Sequence, residues 1–131
     1  MKFDLVDQVL EQEEGRIVTI KQVAMAEEYL ADHFPGFPIL PGVLMLEAMV
    51  QAASRLLASE GQRLVLGEVK AMKYGAMVRP GDTLRVEITS GTTDSDGSTA
   101  CKGTGTVLRQ DCEKTMTAVA GRFTMRHARI E

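Results

Sequence analysis

The sequence predicts an α+β domain in which five or six mostly antiparallel strands wrap one long central helix. Three observations predict it. The stretch from Val43 to Ala58 is a run of good helix formers with apolar residues on every face, and Gly61 stops it. Segments before and after it alternate apolar and polar residues with a period of two, as half-buried strands do. Turns rich in glycine, aspartate and proline separate those segments. A helix apolar all round belongs inside, with strands gathered against it.

Taken in order, residues 3–12 (FDLVDQVLEQ) and 16–23 (RIVTIKQV) read as two strands joined at Glu13-Glu14-Gly15. In the second, Val18 and Ile20 share one face and Ile17 and Thr19 the other. Met25 to Leu30 fits a short helical turn leading to Asp32 and His33. After the helix, residues 63–70 (RLVLGEVK) form the next strand, and 74–79 an irregular link into the turn Pro80-Gly81-Asp82. Thr83 to Ser90 places Leu84, Val86 and Ile88 inward and Arg85, Glu87 and Thr89 outward. Asp94-Ser95-Asp96-Gly97 makes a hairpin turn. Strands then run from Ser98 to Arg109 and from Thr115 to Met125, around a polar turn at 110–114.

A chain of 131 residues fits one domain, 1–131, with no linker, repeat or low-complexity tract. No apolar run approaches membrane-spanning length and the charged start MKFDLVD is no signal peptide, so a cytoplasmic location without membrane insertion is expected. Cys101 and Cys112 form no metal-ligand pair with the two histidines, so neither a metal site nor a disulfide is expected. The GTG at 103–105 lies in a strand pattern, without the strand–loop–helix context of a phosphate loop, so no cofactor is expected. A net charge of −3 argues against nucleic acid. Residues 1–32 carry eight acids against three bases, and the rest ten acids against twelve bases. Lys70, Lys73, Arg79, Arg85, Arg122, Arg126 and Arg129 could gather into a basic rim, or belong to a mixed solvated surface.

The chemistry concentrates between His33 and Gln51, HFPGFPILPGVLMLEAMVQ. Prolines at 35, 38 and 41 stiffen the approach to the helix. Pro41 suits a helix start, and Gly42 lets another group come close to the backbone. The first N–H groups of the helix lack internal partners and sit at its positive end, so an oxygen gaining negative charge would be stabilised there. Glu47 follows five residues on, about 7–8 Å along the axis. It shares a face with Gln51, whose amide can bond its carboxyl group. A carboxyl buried by the helix would tend to hold its proton, as a general acid must. A structural glutamate satisfied by Gln51 and Arg55 is the other reading of the same pattern.

This stretch strongly resembles the signature of the FabZ-type 3-hydroxyacyl-acyl-carrier-protein dehydratases. The likeness covers the histidine, the FPG and PG turns, the acid fourteen positions after the histidine and the glutamine four beyond it. It continues in VLGEVKAMKY, in VRPGDTLRVEI and in the glycine-rich and final strands, so it spans nearly the whole chain. Two departures stand out. Asp32 occupies the place before the histidine where members usually have glycine, and the LPHR-like segment common near their start is absent.

The resemblance implies a hot-dog fold and removal of water from (3R)-3-hydroxyacyl-acyl-carrier-protein to give the trans-2-enoyl thioester in fatty acid biosynthesis. It implies His33 as base, oriented by the Ile39 carbonyl, and Glu47 as acid, oriented by Gln51. Gly42 and Val43 N–H groups would hold the thioester oxygen, and Phe34, Phe37, Leu44, Met45, Met72, Tyr74 and Met77 would line an apolar tunnel with Phe34 and Tyr74 as gates, ordinary core packing being the other reading of each. Acyl carrier protein would be the partner. A homodimer is expected, each active site joining the histidine of one chain to the acid of the other, and the family suggests a trimer of dimers. The single sheet cannot cover a helix apolar all round, which points to the same pairing. His127, among arginines, reads as a surface residue. Two alternatives carry different outcomes: a hot-dog thioesterase would release free acid, and a non-catalytic acyl-chain or carrier-protein binding module would bind without turnover. A polyproline ligand is disfavoured by the interior helix that follows directly.

Overall fold

The computed structural model describes residues 4–24, 39–58, 63–109 and 112–128. Its elements are β1 (Gln8–Glu13), β2 (Arg16–Gln22), α1 (Gly42–Leu57), β3 (Leu64–Tyr74), β4 (Thr83–Thr93), β5 (Thr99–Arg109) and β6 (Cys112–His127). The strands form one sheet in the order β1-β2-β4-β5-β6-β3, every neighbouring pair antiparallel. With α1 lying on one face, this is the hot-dog arrangement. The expected helical turn at 25–30, the stop at Gly61 and part of the turn at 110–114 lie outside the described residues, as do His33, Phe34, Phe37 and Arg129.

Local chemistry fixes the turns. At the β4–β5 hairpin, Gly97 adopts φ 88, which a side chain resists, and Asp94 exchanges backbone bonds with Gly97 and Ser98. At Pro80-Gly81-Asp82, the Asp82 carboxylate accepts the Arg79 N–H at 2.9 Å and the Arg109 guanidinium at 3.3 Å. Asp82 is buried there, with both bonds compensating its desolvation.

The core lies between α1 and the inner sheet face. Ile17, Leu84, Val86, Ile88, Cys101, Val119, Phe123 and Met125 pack against Met45, Ala48, Met49, Ala52 and Ala53. Each large side chain so buried stabilises the fold by about 1.5–3 kcal/mol. The glycine-rich β5 lets the helix close in. A Cβ at Gly103 would lie 2.7 Å from the Met49 sulfur, so the missing side chain is where Met49 rests. The alternation expected in β4 is present: Leu84, Val86 and Ile88 are buried and their neighbours face outward.

Element boundaries differ where pairing outruns the pattern. The strand expected to end at Lys70 runs on to Tyr74, because β3 carries register shifts between Leu66 and Val69 and between Lys70 and Lys73. Ala71, at φ 53, marks the second irregularity. Such shifts erase the two-residue alternation while leaving the strand paired to β6. β6 likewise extends beyond Thr115–Met125 at both ends, and β4 continues to Thr93.

The opposite correction applies at the start. β1 begins at Gln8, with Asp7 N–H making a last backbone bond to the Ile20 carbonyl at 2.9 Å while its carboxylate takes the Gln22 N–H at 2.7 Å and faces Lys21 Nζ at 3.5 Å. Residues 4–6 then leave the sheet and run against α1, burying Leu5 and Val6.

The outer sheet face is polar. Arg16 pairs with Glu87 at 2.6 Å and Glu11 at 3.6 Å, and Arg85 reaches Glu11 at 3.8 Å. Val18, placed in register between Glu11 and Glu87, is fully buried among them. Further along, Lys102, Arg122 and Lys70 are direct cross-strand partners on β5, β6 and β3, forming an exposed cationic row in which Lys70 lies 3.7 Å from the Glu68 carboxylate. The expected single rim of basic residues is therefore divided, since Arg85 is drawn to Glu11.

Candidate active site

Two segments of the chain meet at the start of α1. Pro41 precedes the helix in extended conformation, φ −60 and ψ 144, and no side chain caps the end. Its carbonyl accepts the Leu44 and Met45 N–H groups at 3.0 and 3.2 Å. The N–H groups of Gly42 and Val43 have no partner among the described residues, which leaves two donors at the positive end of the helix. The approach is held by Leu40 N–H donating to the Val78 carbonyl at 2.7 Å. Tyr74, at the end of β3, lays its ring over Gly42: a Cβ at residue 42 would stand 3.0 Å from Tyr74 Cε1. Ile39 and Gly42 are half-buried, while Val43 is 69% exposed.

Further along, Gln51 Nε2 donates to Glu47 Oε1 at 3.3 Å. Gln51 Oε1 accepts the Leu5 N–H at 2.7 Å. Both side chains border an open cavity of about 830 Å³ between α1 and the start of β3, with Val50, Ser54 and Arg55 on the helix side, Leu64 to Leu66 opposite and Asp4 at its edge. The expectation that Glu47 is buried does not hold within one chain, where it is exposed. The sheet covers only the face bearing Met45, Ala48, Met49, Ala52 and Ala53, and leaves open the stripe of Val43, Glu47, Gln51 and Arg55. Nor does Arg55 satisfy Glu47. Its guanidinium turns to Asp4, at 4.0 Å.

The proposed tunnel residues divide. Tyr74 and Met77 are exposed, Leu44 and Met72 half-buried, and Met45 belongs to the core. Thus the helix-start donors, Tyr74, Glu47 and Gln51 are brought to one side of the molecule. His33 and Phe34 lie outside the described residues. His127 is exposed on β6, as expected of a surface residue. Sequence reasoning missed Leu5, because a backbone donor leaves no side-chain signature. Among the described residues no cluster of His, Cys, Asp or Glu is placed to hold a metal ion. No helix among them is long and apolar enough to cross a membrane.

Comparison with known proteins fixes the family. The profile of the ApeI-like family, ApeI dehydratase, matches residues 9–107, about three-quarters of the chain. The chain belongs to the ApeI-like dehydratase family. This ApeI-like chain is also 42% identical over 91 residues to the 3-hydroxyacyl-[acyl-carrier-protein] dehydratase FabZ of Desulforamulus reducens, covering 66% of its own length and 64% of that protein's. It is 45% identical over 91 residues to FabZ of Bacillus cytotoxicus, covering 66% and 63%. The matches span less than two thirds of these curated relatives. Among solved structures, the fold of the dehydratase heterocomplex ApeI:P from Xenorhabdus doucetiae is shared at TM-score 0.66 and 20% identity, over 96% of this chain and 99% of that one. A Streptococcus mutans protein bound to acetyl-CoA shares it at TM-score 0.72 and 17% identity, over 98% and 92%.

Proposed function

We propose that this ApeI-like protein removes water from (3R)-3-hydroxyacyl thioesters carried on acyl carrier protein, forming the trans-2-enoyl thioester in a fatty acid biosynthetic sequence in the cytoplasm. The observation that carries this reading is the pairing of Glu47 with Gln51 on the open side of α1, about 7–8 Å behind two helix-start N–H groups that have no partner among the described residues. The likeness to FabZ dehydratases supports the choice of reaction.

The demands of the reaction map onto these groups. His33, neutral near pH 7, takes the proton from C2. As it leaves, negative charge grows on the thioester oxygen, and the Gly42 and Val43 N–H groups stabilise it. The C3–O bond breaks as Glu47 gives its proton to the departing hydroxyl, and the electron pair from C2 forms the double bond. The Ile39 carbonyl orients the imidazole, while Phe34 and Tyr74 border the entrance. Protons move and no electrons leave the substrate, so no redox cofactor enters the scheme.

The chain acts as a homodimer in this reading, with His33 of one copy beside Glu47 of the other. The open helix stripe and the edge of β3, which has no strand partner on its outer side among the described residues and leaves Val69 41% and Tyr74 51% exposed, support it: a second copy would bury both. The family suggests a trimer of dimers above that. Spectrophotometric dehydration of 3-hydroxyacyl chains of graded length on carrier protein is the test. Turnover is expected, and His33→Ala and Glu47→Gln should each remove most of it while leaving the dimer folded. Release of free acid without enoyl product would instead establish a thioesterase, and binding without absorbance change a non-catalytic module. An active Glu47→Gln variant would overturn the acid role.

A further inference from the structure

Two of the bonds that Gln51 makes to described residues together give its amide one orientation. A backbone N–H can only donate, so the atom facing Leu5 N at 2.7 Å is the carbonyl Oε1, and the NH₂ group is turned toward Glu47 at 3.3 Å. The Leu5 N–H is itself firmly placed. Leu5 is 2% exposed, Asp7 pins the segment to Gln22 on one side, and the Asp4 carboxylate accepts the Val6 N–H at 3.1 Å on the other. The leader Asp4–Asp7 thus clasps α1 at the level of Gln51.

The consequence falls on the acid. A protonated carboxyl group has one O–H to give. With the Gln51 NH₂ facing it, Glu47 Oε1 is engaged as an acceptor, and the proton resides on Oε2. A flipped amide would present a carbonyl oxygen instead, and the acid would donate its proton to Gln51 and not to substrate. Among the described residues no other hydrogen bond or ion pair to Glu47 is formed: Arg55 turns to Asp4, and across the cavity stand Leu64, Val65 and Leu66 with Arg63, which lines the cavity without pairing to Glu47.

We propose that the Leu5 backbone N–H locks the Gln51 amide so that the acidic proton of Glu47 stays on the carboxyl oxygen that Gln51 does not engage, which makes Leu5 a positioning residue, acting through Gln51, for proton delivery to the departing hydroxyl. This rests on the dehydratase reading above. The proton leaves Glu47 Oε2 as the C3–O bond breaks, water departs, and the carboxylate regains a proton from solvent.

The test keeps the full chain. Replacing the Leu5 peptide N–H by an ester oxygen, with the leucine side chain retained, removes only the lock. kcat should fall about tenfold with KM unchanged, because substrate binding is untouched while proton delivery is misdirected. Gln51→Glu, which still accepts from Leu5 but can no longer donate an amide N–H to Glu47, should fall about a hundredfold. Gln51→Met should behave like the ester, and supplies the reading if the ester chain does not fold. A second measurement is independent of turnover. The Gln51 side-chain amide resonances should shift on Glu47→Ala in the normal chain and lose that response in the ester chain. Normal kcat in both the ester and Gln51→Met chains, or amide signals indifferent to Glu47→Ala, overturns the lock. An inactive parent chain would defeat the dehydratase reading and the delivery role with it, while the amide signals would still report whether the clasp exists.

Discussion

The ring of Tyr74 lies flat enough against Gly42 that a methyl group at residue 42 would meet three of its carbons between 3.0 and 3.4 Å. The end of the edge strand and the start of the helix are therefore in contact through a residue that has no side chain. Gly42→Ala should cost about 1 kcal/mol by displacing the ring, and nothing once Tyr74→Ala has removed it. Urea denaturation of the two single variants and the double variant measures that coupling. Additive costs would mean the contact is idle.

A tighter version occurs under the middle of the helix. A Cβ at Gly103 would stand 2.7 Å from Met49 Sδ and 2.9 Å from Ile88 Cδ1. Gly103→Val should destabilise the fold by about 1–3 kcal/mol through overpacking. Methionine is pliable, so Gly103→Ala should cost distinctly less, as chemical denaturation of both variants will show.

Asp82 joins the turn before β4 to the end of β5, accepting from Arg79 N–H and Arg109 Nε. Asp82→Ala strands both donors and should cost about 2–3 kcal/mol, while Asp82→Asn, which keeps one acceptor, should cost less. Thermal unfolding of the two variants separates them.

Cys101 offers a pH test. Burial pushes its thiol from 9.0 to about 11. Below pH 9 folded and unfolded chains both hold the proton, so stability is unaffected. Between pH 9 and 11 the unfolded chain releases it first, and stability should fall by about 1.4 kcal/mol per pH unit on this account. Denaturation at pH 8 and pH 10.5 should show that loss in the parent chain, with the Cys101→Ala variant lacking this component.

The architecture was legible because its signals are side-chain patterns. The helix departs by one residue at each end, and Leu84, Val86 and Ile88 face inward as their spacing requires. The site was legible in part. Glu47 and Gln51 meet as residues four apart on a helix should, and Gly42 opens α1 where Pro41 announces it. What escaped has a common cause. β3 hides its length behind two register shifts, and the clasp on Gln51 is made by the backbone of Leu5, whose side chain says nothing of it. Glu47's exposure escaped for another reason, since apolar residues on every face of α1 say how much must be covered and not which chain covers it.

The cationic row of Lys102, Arg122 and Lys70 limits how copies of this protein can be stacked. Like charges set directly across adjacent strands repel one another, and laying one row against the row of a second copy would add to the repulsion with no solvent between. The same repulsion guards the broad face against the layered sheet-on-sheet growth that leads to fibrils.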